Sequence, residues 1–161
     1  MQEINIIGTW TLYSKEVRRF LTVYNQTLLA PVVTSLLFLA VFNLALGNHV
    51  QKIGGINFNE FMAAGLVMMA VLQNAFANTS TSFIMGKVLG TIIDYLIPPI
   101  STGELIFAMV MAALTRGVIL AILILIALKF FIPVHIYSIY HLLFYLTLAS
   151  ILLALLGIVA G

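Results

Sequence analysis

Cysteine is absent from the 161 residues, which excludes disulfides and leaves the redox compartment unread. Charge is almost as scarce: Asp, Glu, Lys and Arg together make up 7% of the chain, against roughly a quarter in an ordinary soluble domain. The formal net charge of +2 is too small to point to a nucleic-acid partner. The N-terminus lacks the short apolar region and small-residue cleavage site of a secretory signal, so the first apolar span reads as a retained anchor. No repeat, low-complexity tract or long linker interrupts the chain, which reads as a single domain over 1–161. It ends inside an apolar run, Leu155-Leu156-Gly157-Ile158-Val159-Ala160-Gly161, without a basic flank, and so reads as a truncated product or a fragment.

Catalytic patterns are missing as well. Gly86-Lys87 is followed by Val88, and Thr81 stands where a phosphate-binding loop has its first glycine, so G-x-x-x-x-G-K-[ST] is not met. There is no G-x-S-x-G, no H-E-x-x-H, and no pair of acids inside an apolar span. The residues therefore imply no enzyme, no catalytic group and no cofactor on this chain. His49, His135 and His141, with Glu60, fall in predicted loops without the i, i+4 spacing of a helical zinc site, and no metal is expected.

What the chain has is apolar length. It is 63% hydrophobic with a mean hydropathy of +1.17. A hydrocarbon core of about 30 Å needs roughly 20 residues of helix at about 1.5 Å each, and four stretches supply them, at about 27–46, 61–85, 103–131 and 142–161. Lipid forces every backbone group to be satisfied within the chain, so the fold class is all-α, a polytopic helical membrane bundle. Lys15, Arg18 and Arg19 precede the first span and Lys87 lies between the second and third, whereas Lys52 and Lys129 fall on the opposite side. The positive-inside rule then places the N-terminus in the cytoplasm, with 84–104 on that same side.

Ahead of the first span, Trp10, Tyr13, Val17, Phe20, Leu21 and Tyr24 recur at helical spacing, while Lys15, Glu16, Arg18 and Arg19 occupy the remaining surface. Aromatics on one side and cations on the other suit a helix lying among the lipid headgroups. We read 9–25 as an N-terminal interfacial elbow helix, with Trp10, Lys15, Arg18, Arg19 and Phe20 at the membrane surface. The bland alternative is that the cations only fix topology. The 84–104 segment repeats the pattern: Met85, Val88, Leu89, Ile92, Ile93 and Leu96 share one face of a predicted helix over 86–97, with Lys87, Thr91 and Asp94 on others. Pro98 and Pro99 stop it, and Ser101 with Glu104 predicts a capping box that restarts the chain as a helix at about Thr102. Such a segment can carry motion from a soluble partner into the bundle, or simply rest on the membrane.

Arg116, deep in the third span, costs roughly 2.5–3.5 kcal/mol at a helix centre. Either it snorkels to the inner interface, the reading we expect, or it faces the bundle interior and pairs with a carboxylate or carbonyl. Thr34, Ser35, Asn43, Gln73, Asn74, Asn78, Thr79, Ser80, Thr147 and Ser150 also sit within the spans. They bond helix to helix or line a polar conduit. Pro31 predicts a kink in the first span, and Gly65 a close helix approach.

Several runs are familiar. Phe58-Asn59-Glu60-Phe61-Met62-Ala63-Ala64-Gly65-Leu66-Val67-Met68-Met69, continuing to Asn74-Ala75-Phe76-Ala77-Asn78 and Ser82-Phe83, resembles the second span of bacterial ABC-2 type exporter permeases. Trp10, Lys15-Glu16, Arg19-Phe20, Gln26-Thr27, Pro31 and Val41-Phe42-Asn43-Leu44 match the amino-terminal pattern of that family. Gly90-Thr91-Ile92-Ile93-Asp94-Tyr95-Leu96-Ile97, Pro99-Ile100-Ser101 and Thr115-Arg116-Gly117 look like its coupling segment and third span. The resemblance runs from about residue 10 to the end. It implies a non-enzymatic permease subunit of an ATP-driven exporter in a bacterial inner (cell) membrane, with ATP hydrolysis on a separate ATPase chain and a second permease copy completing a dimer. It also implies an elbow at Thr9 to Asn25 and a coupling element at Gly86 to Ile97, with Lys87, Thr91, Asp94 and Tyr95 toward the ATPase. Arg116, Gln73, Asn74 and Asn78 are candidates for pathway or topology. Members of the family usually have six spans, so this chain departs by lacking the last two and the end of the fourth. The alternative is a non-transporting remnant or a small helical membrane protein that assembles with other helices. An ion-driven carrier would need an ionisable network within the membrane, toward which Arg116 alone is evident in the sequence.

Overall fold

The computed structural model describes residues 5–46, 52–53, 55–133 and 138–161. His49 and His135 lie outside the described residues. Among the described residues, four helices are long and apolar enough to cross a membrane.

The chain opens with α1 (Ile6–Thr22), whose N-cap Asn5 accepts a hydrogen bond from the Gly8 amide at 2.9 Å and so satisfies one donor of the first turn. Its buried stripe is Leu12, Glu16 and Phe20, at a strict spacing of four. That stripe is rotated from the expected aromatic face, because Trp10, Leu21 and Tyr24 are exposed and an acid takes the centre of the packed side. Next comes one π-helical turn, Asn25–Leu29, running directly into α2 (Ala30–Leu46). Pro31 offers no amide, and its ring crowds the preceding turn. The chain widens that turn into a π-helical one, and Thr27 Oγ1 donates back to the Phe20 carbonyl at 2.7 Å.

A two-stranded antiparallel hairpin, β1 (Lys52–Ile53) and β2 (Ile56–Asn57), pairs Lys52 with Asn57 and Ile53 with Ile56, where the sequence predicts only loop. It leads into α3 (Phe58–Val88), the longest element. Gly90, at φ +72, ends it, since a left-handed residue turns the chain off the helical path at little cost only when it is glycine. α4 (Ile93–Leu96) is therefore a single turn, shorter than the predicted 86–97 helix. After Pro98 and Pro99, α5 (Thr102–Lys129) starts from Ser101 with a complete capping box: the Glu104 amide donates to Ser101 Oγ, and the Ser101 amide donates to Glu104 Oε2 at 2.7 Å. The last helix is α6 (Ile139–Ala160).

α3 lies at the centre, packed against α5 and α6. Small side chains let the backbones approach, as is usual where lipid supplies no hydrophobic drive between helices: Ala75, Ala112, Ala113 and Ala154 are fully buried. A Cβ on Gly117 would lie 3.3 Å from Ser150 Oγ, and one on Gly157 2.6 Å from the Phe76 carbonyl oxygen. Gly65 plays no such part, because a Cβ there would meet nothing within 4 Å. Leu66, Val67 and Val71 of α3, Leu120, Ile124 and Leu128 of α5, and Leu146 of α6 fill the apolar core. α2 stands at its margin, touching the core through Leu28 at its approach and Leu39, while Val33, Leu37, Val41 and Leu44 remain exposed.

Most hydroxyls in the spans turn back on their own helix rather than across to a neighbour. Thr34, Ser35 and Thr147 donate to the carbonyls of Ala30, Pro31 and Leu143. Thr79 does cross, donating to the Ala154 carbonyl at 2.9 Å and tying α3 to α6.

Candidate functional site

The densest polar chemistry lies where α1, α3 and α4 meet. Glu16 is fully buried, and each carboxylate oxygen is occupied. Oε2 accepts from Arg19 Nε at 3.0 Å and from Ser82 Oγ at 2.9 Å, and Oε1 accepts from the Tyr95 hydroxyl at 3.1 Å. A buried carboxylate demands this, since desolvation is offset only by a counter-charge and hydrogen bonds on the remaining lone pairs. Arg19 extends the network by donating from Nη2 to the Asn78 carbonyl at 2.8 Å. Lys15 Nζ sits 3.8 Å from the centroid of the Tyr95 ring, a cation over an aromatic face.

The network continues into the bundle. Arg116 is 8% exposed; its Nη2 donates to Asn74 Oδ1 at 2.5 Å and its Nη1 to Asn78 Oδ1 at 3.4 Å. Of the two readings of Arg116, the snorkelling side chain is corrected: the guanidinium faces the bundle interior. The reason is geometric, because Asn74 and Asn78, one turn apart on α3, present two amide oxygens to a guanidinium fork that would otherwise have to snorkel. Asn78 Oδ1 also lies 3.5 Å from Arg19 Nη2, so a single amide links the two guanidinium groups. Gln73, next to this pair in sequence, is exposed. It borders a cleft of about 210 Å³ between α3 and the start of α2, lined also by Gln26, Thr34, Ser35 and Asn74.

The last turn of α3 and the segment between α3 and α5 divide by direction. Lys87, Thr91 and Asp94 are exposed, and Lys87 Nζ donates to the Gly161 carbonyl. Tyr95, grouped with them in the sequence, points inward instead and packs with Leu12 and Ala108. Of the residues expected at the membrane surface, Trp10, Lys15 and Arg18 are exposed on α1, Arg19 is half-buried, and Phe20, at 1%, belongs to the packed side.

A second joint holds the start of α1. The Asn5 amide donates to Glu104 Oε1 at 2.5 Å, Asn5 Nδ2 donates to the Pro99 carbonyl at 3.3 Å, and further along the Tyr13 hydroxyl meets Thr115 Oγ1 at 2.9 Å. Glu16, Ser82 and the Asn5–Glu104 bond escape the sequence reading. The spacing of Leu12, Glu16 and Phe20 is the signal that would have placed Glu16 inside, and that of Asn74 and Asn78 the one for Arg116.

Four long apolar helices, with an ion pair and a second guanidinium sealed where an amphipathic helix meets them, define a polytopic helical membrane protein. The family model for the ABC-2 type transporter matches residues 8–161, and the chain belongs to that family. Two proteins called inner membrane transport permease YadH, from Escherichia coli strain K12 and from Shigella flexneri, are each 30% identical to it over 161 residues. That alignment takes in 100% of this chain and 63% of theirs, so the chain spans less than two thirds of the length of these curated relatives. No solved structure matches it.

Proposed function

We propose that this chain supplies the membrane-embedded path of an ATP-driven exporter in a bacterial inner membrane, working as a permease pair with ATP hydrolysis on separate chains. Family membership and the name of the relatives, transport permeases, support the transport role. The observation that carries the coupling role is the α3–α5 connection, where Lys87, Thr91 and Asp94 are exposed together on a segment that Tyr95 anchors inward. A soluble partner can grip these side chains together with the exposed Val88, Leu89 and Ile93, and the anchor delivers the displacement to the bundle. The N-terminus is cytoplasmic on this reading, with 86–97 on the same side, and α1 lies at the headgroup level with Trp10 and Arg18 toward lipid and Lys15 turned over Tyr95.

The permease performs no covalent chemistry. Nucleotide binding by the partner changes which conformation the connection fits best, and the bundle alternates access by that difference in affinity. The polar cleft beside Gln73 and Asn74, with Arg116 behind Asn74, belongs to the path on this reading.

The test is native mass spectrometry of the N-terminally tagged protein, gently extracted from its own membranes. A complex holding two permease copies and two nucleotide-binding chains is expected. A species that carries no nucleotide-binding chain would overturn the proposal.

A further inference from the structure

α1 is fastened to both flanks of the α3–α5 connection. Ahead of α4 and within it, Ser82 and Tyr95 donate to Glu16; beyond it, Pro99 and Glu104 hold Asn5. A segment gripped at two places on either side of a short turn follows that turn as a strap follows a hinge. The grips differ in kind. The Asn5 grip closes the cap of α5 and lies partly exposed, whereas the Glu16 grip is fully buried and sits on the path to Arg19, Asn78 and Arg116.

We infer that Glu16 is a positioning residue for energy coupling: its carboxylate locks α4 to α1, so a displacement imposed on the α3–α5 connection moves α1 as well. The inference rests on the exporter reading above and adds a route to it. Through Arg19 and the Asn78 carbonyl, movement of α1 pulls on the middle of α3, and through the Asn78 and Asn74 amides it reaches Arg116 on α5. Tyr95 then serves as the inner end of the coupling element, while Lys87, Thr91 and Asp94 form its outer face. Packing alone does not explain the arrangement, because Leu12 and Phe20 already bury the same face of α1 one turn to either side. An acid between them costs desolvation that a third apolar side chain would avoid.

The absence of cysteine from this chain makes the test direct. Spin labels are placed as Thr11→Cys with Tyr140→Cys, reporting α1 against α6, and as Ile97→Cys with Tyr140→Cys, reporting the end of α4 against the same point. Distances are measured by pulsed electron paramagnetic resonance in the full complex with its ATPase, reconstituted in lipid vesicles, with and without ATP and vanadate. Both distances are expected to shift with nucleotide in the otherwise native protein. In Tyr95→Phe, which keeps the ring and removes only the hydroxyl, the Ile97 shift is expected to persist and the Thr11 shift to shrink, because Ser82 still holds Glu16 and Asn5 still holds Glu104; in Glu16→Ala, which releases both α3 and α4 from the carboxylate, the Thr11 shift is expected to shrink further. A Thr11 shift of native size in both Tyr95→Phe and Glu16→Ala, or one missing from the native protein while Ile97 moves, would overturn the inference and leave the exporter reading standing. An Ile97 distance indifferent to nucleotide would overturn both.

Discussion

The Tyr95 hydroxyl donates to the Glu16 carboxylate across 79 positions of sequence, joining a one-turn helix between two spans to the amphipathic helix that opens the chain. Removing the acceptor takes a partner from three donors at once, although Ser82 and Tyr95 keep each other at 3.2 Å and Arg19 keeps the Asn78 carbonyl. Glu16→Ala is expected to destabilise the protein by about 3 kcal/mol, the low end for breaking a buried pair because Arg19 is 33% exposed and partly screened. Tyr95→Phe, which leaves Arg19 and Ser82 on the carboxylate, is expected to cost about 1 kcal/mol. Thermal unfolding in detergent, followed by circular dichroism, reads both, and a smaller loss in Glu16→Ala than in Tyr95→Phe would contradict the arrangement.

Arg116 and Asn74 make a second coupled pair. Asn74→Leu leaves a buried guanidinium without its nearest acceptor and is expected to cost about 1–3 kcal/mol. Arg116→Met instead leaves two amides whose needs are smaller. The double variant should lose less than the sum of the singles, since each single change strands the partner's group and the pair removes both. Strict additivity in a double-mutant cycle would show that the 2.5 Å bond contributes nothing in the bundle.

Glycine separates the crowded helix faces from the open ones. Gly157→Ala places a methyl 2.6 Å from the Phe76 carbonyl oxygen, a backbone atom that cannot swing aside, and is expected to destabilise the α3–α6 contact by about 1–3 kcal/mol. At Gly65 there is nothing within 4 Å, and Gly65→Ala is expected to be neutral or to stabilise by about 0.5–1 kcal/mol through helix propensity. Unfolding of the two variants in the same detergent ranks them, and the reverse order would refute the packing described for α6.

On the outer face of the connection, Asp94→Lys is expected to leave membrane insertion intact and reduce the ATPase recovered with the protein by about tenfold, as a change of about 1.4 kcal/mol in affinity would do. Gly90→Pro acts differently. Proline cannot adopt φ +72, so the turn from α3 to α4 is lost and nucleotide turnover should no longer respond to the permease although the complex still forms. Quantitative co-purification and ATPase assays distinguish the two, and normal permease-stimulated turnover in Gly90→Pro would count against the coupling assignment.

The spans were legible because lipid imposes a length and a polarity on any helix that crosses it, and Ser101 with Glu104 was legible because a capping box is local. The joints were not. Glu16 meets Ser82 and Tyr95 from 66 and 79 residues away, and no window along the chain contains both sides of that contact. Amphipathic spacing also misled: it set Glu16 among the solvated residues of α1 because acids usually are, and it carried a helix through Gly90 because side-chain periodicity does not register a positive φ. Arg116 was read outward for a related reason, as the two oxygens that solvate it lie on another helix.

The bonds that seat α1 bear on the order of assembly. Asn5 waits for Glu104, 99 residues later, and Tyr13 for Thr115, 102 residues later. At a synthesis rate of about 5–20 residues per second, about 5–20 s pass between Asn5 and Glu104, and Glu16 is held until its distant partners follow only by Arg19 of its own helix. Its exposed cations and aromatics give it a membrane surface to rest on in that interval, so α1 is, during biogenesis, a tethered ligand that the bundle takes up only once α5 has followed it.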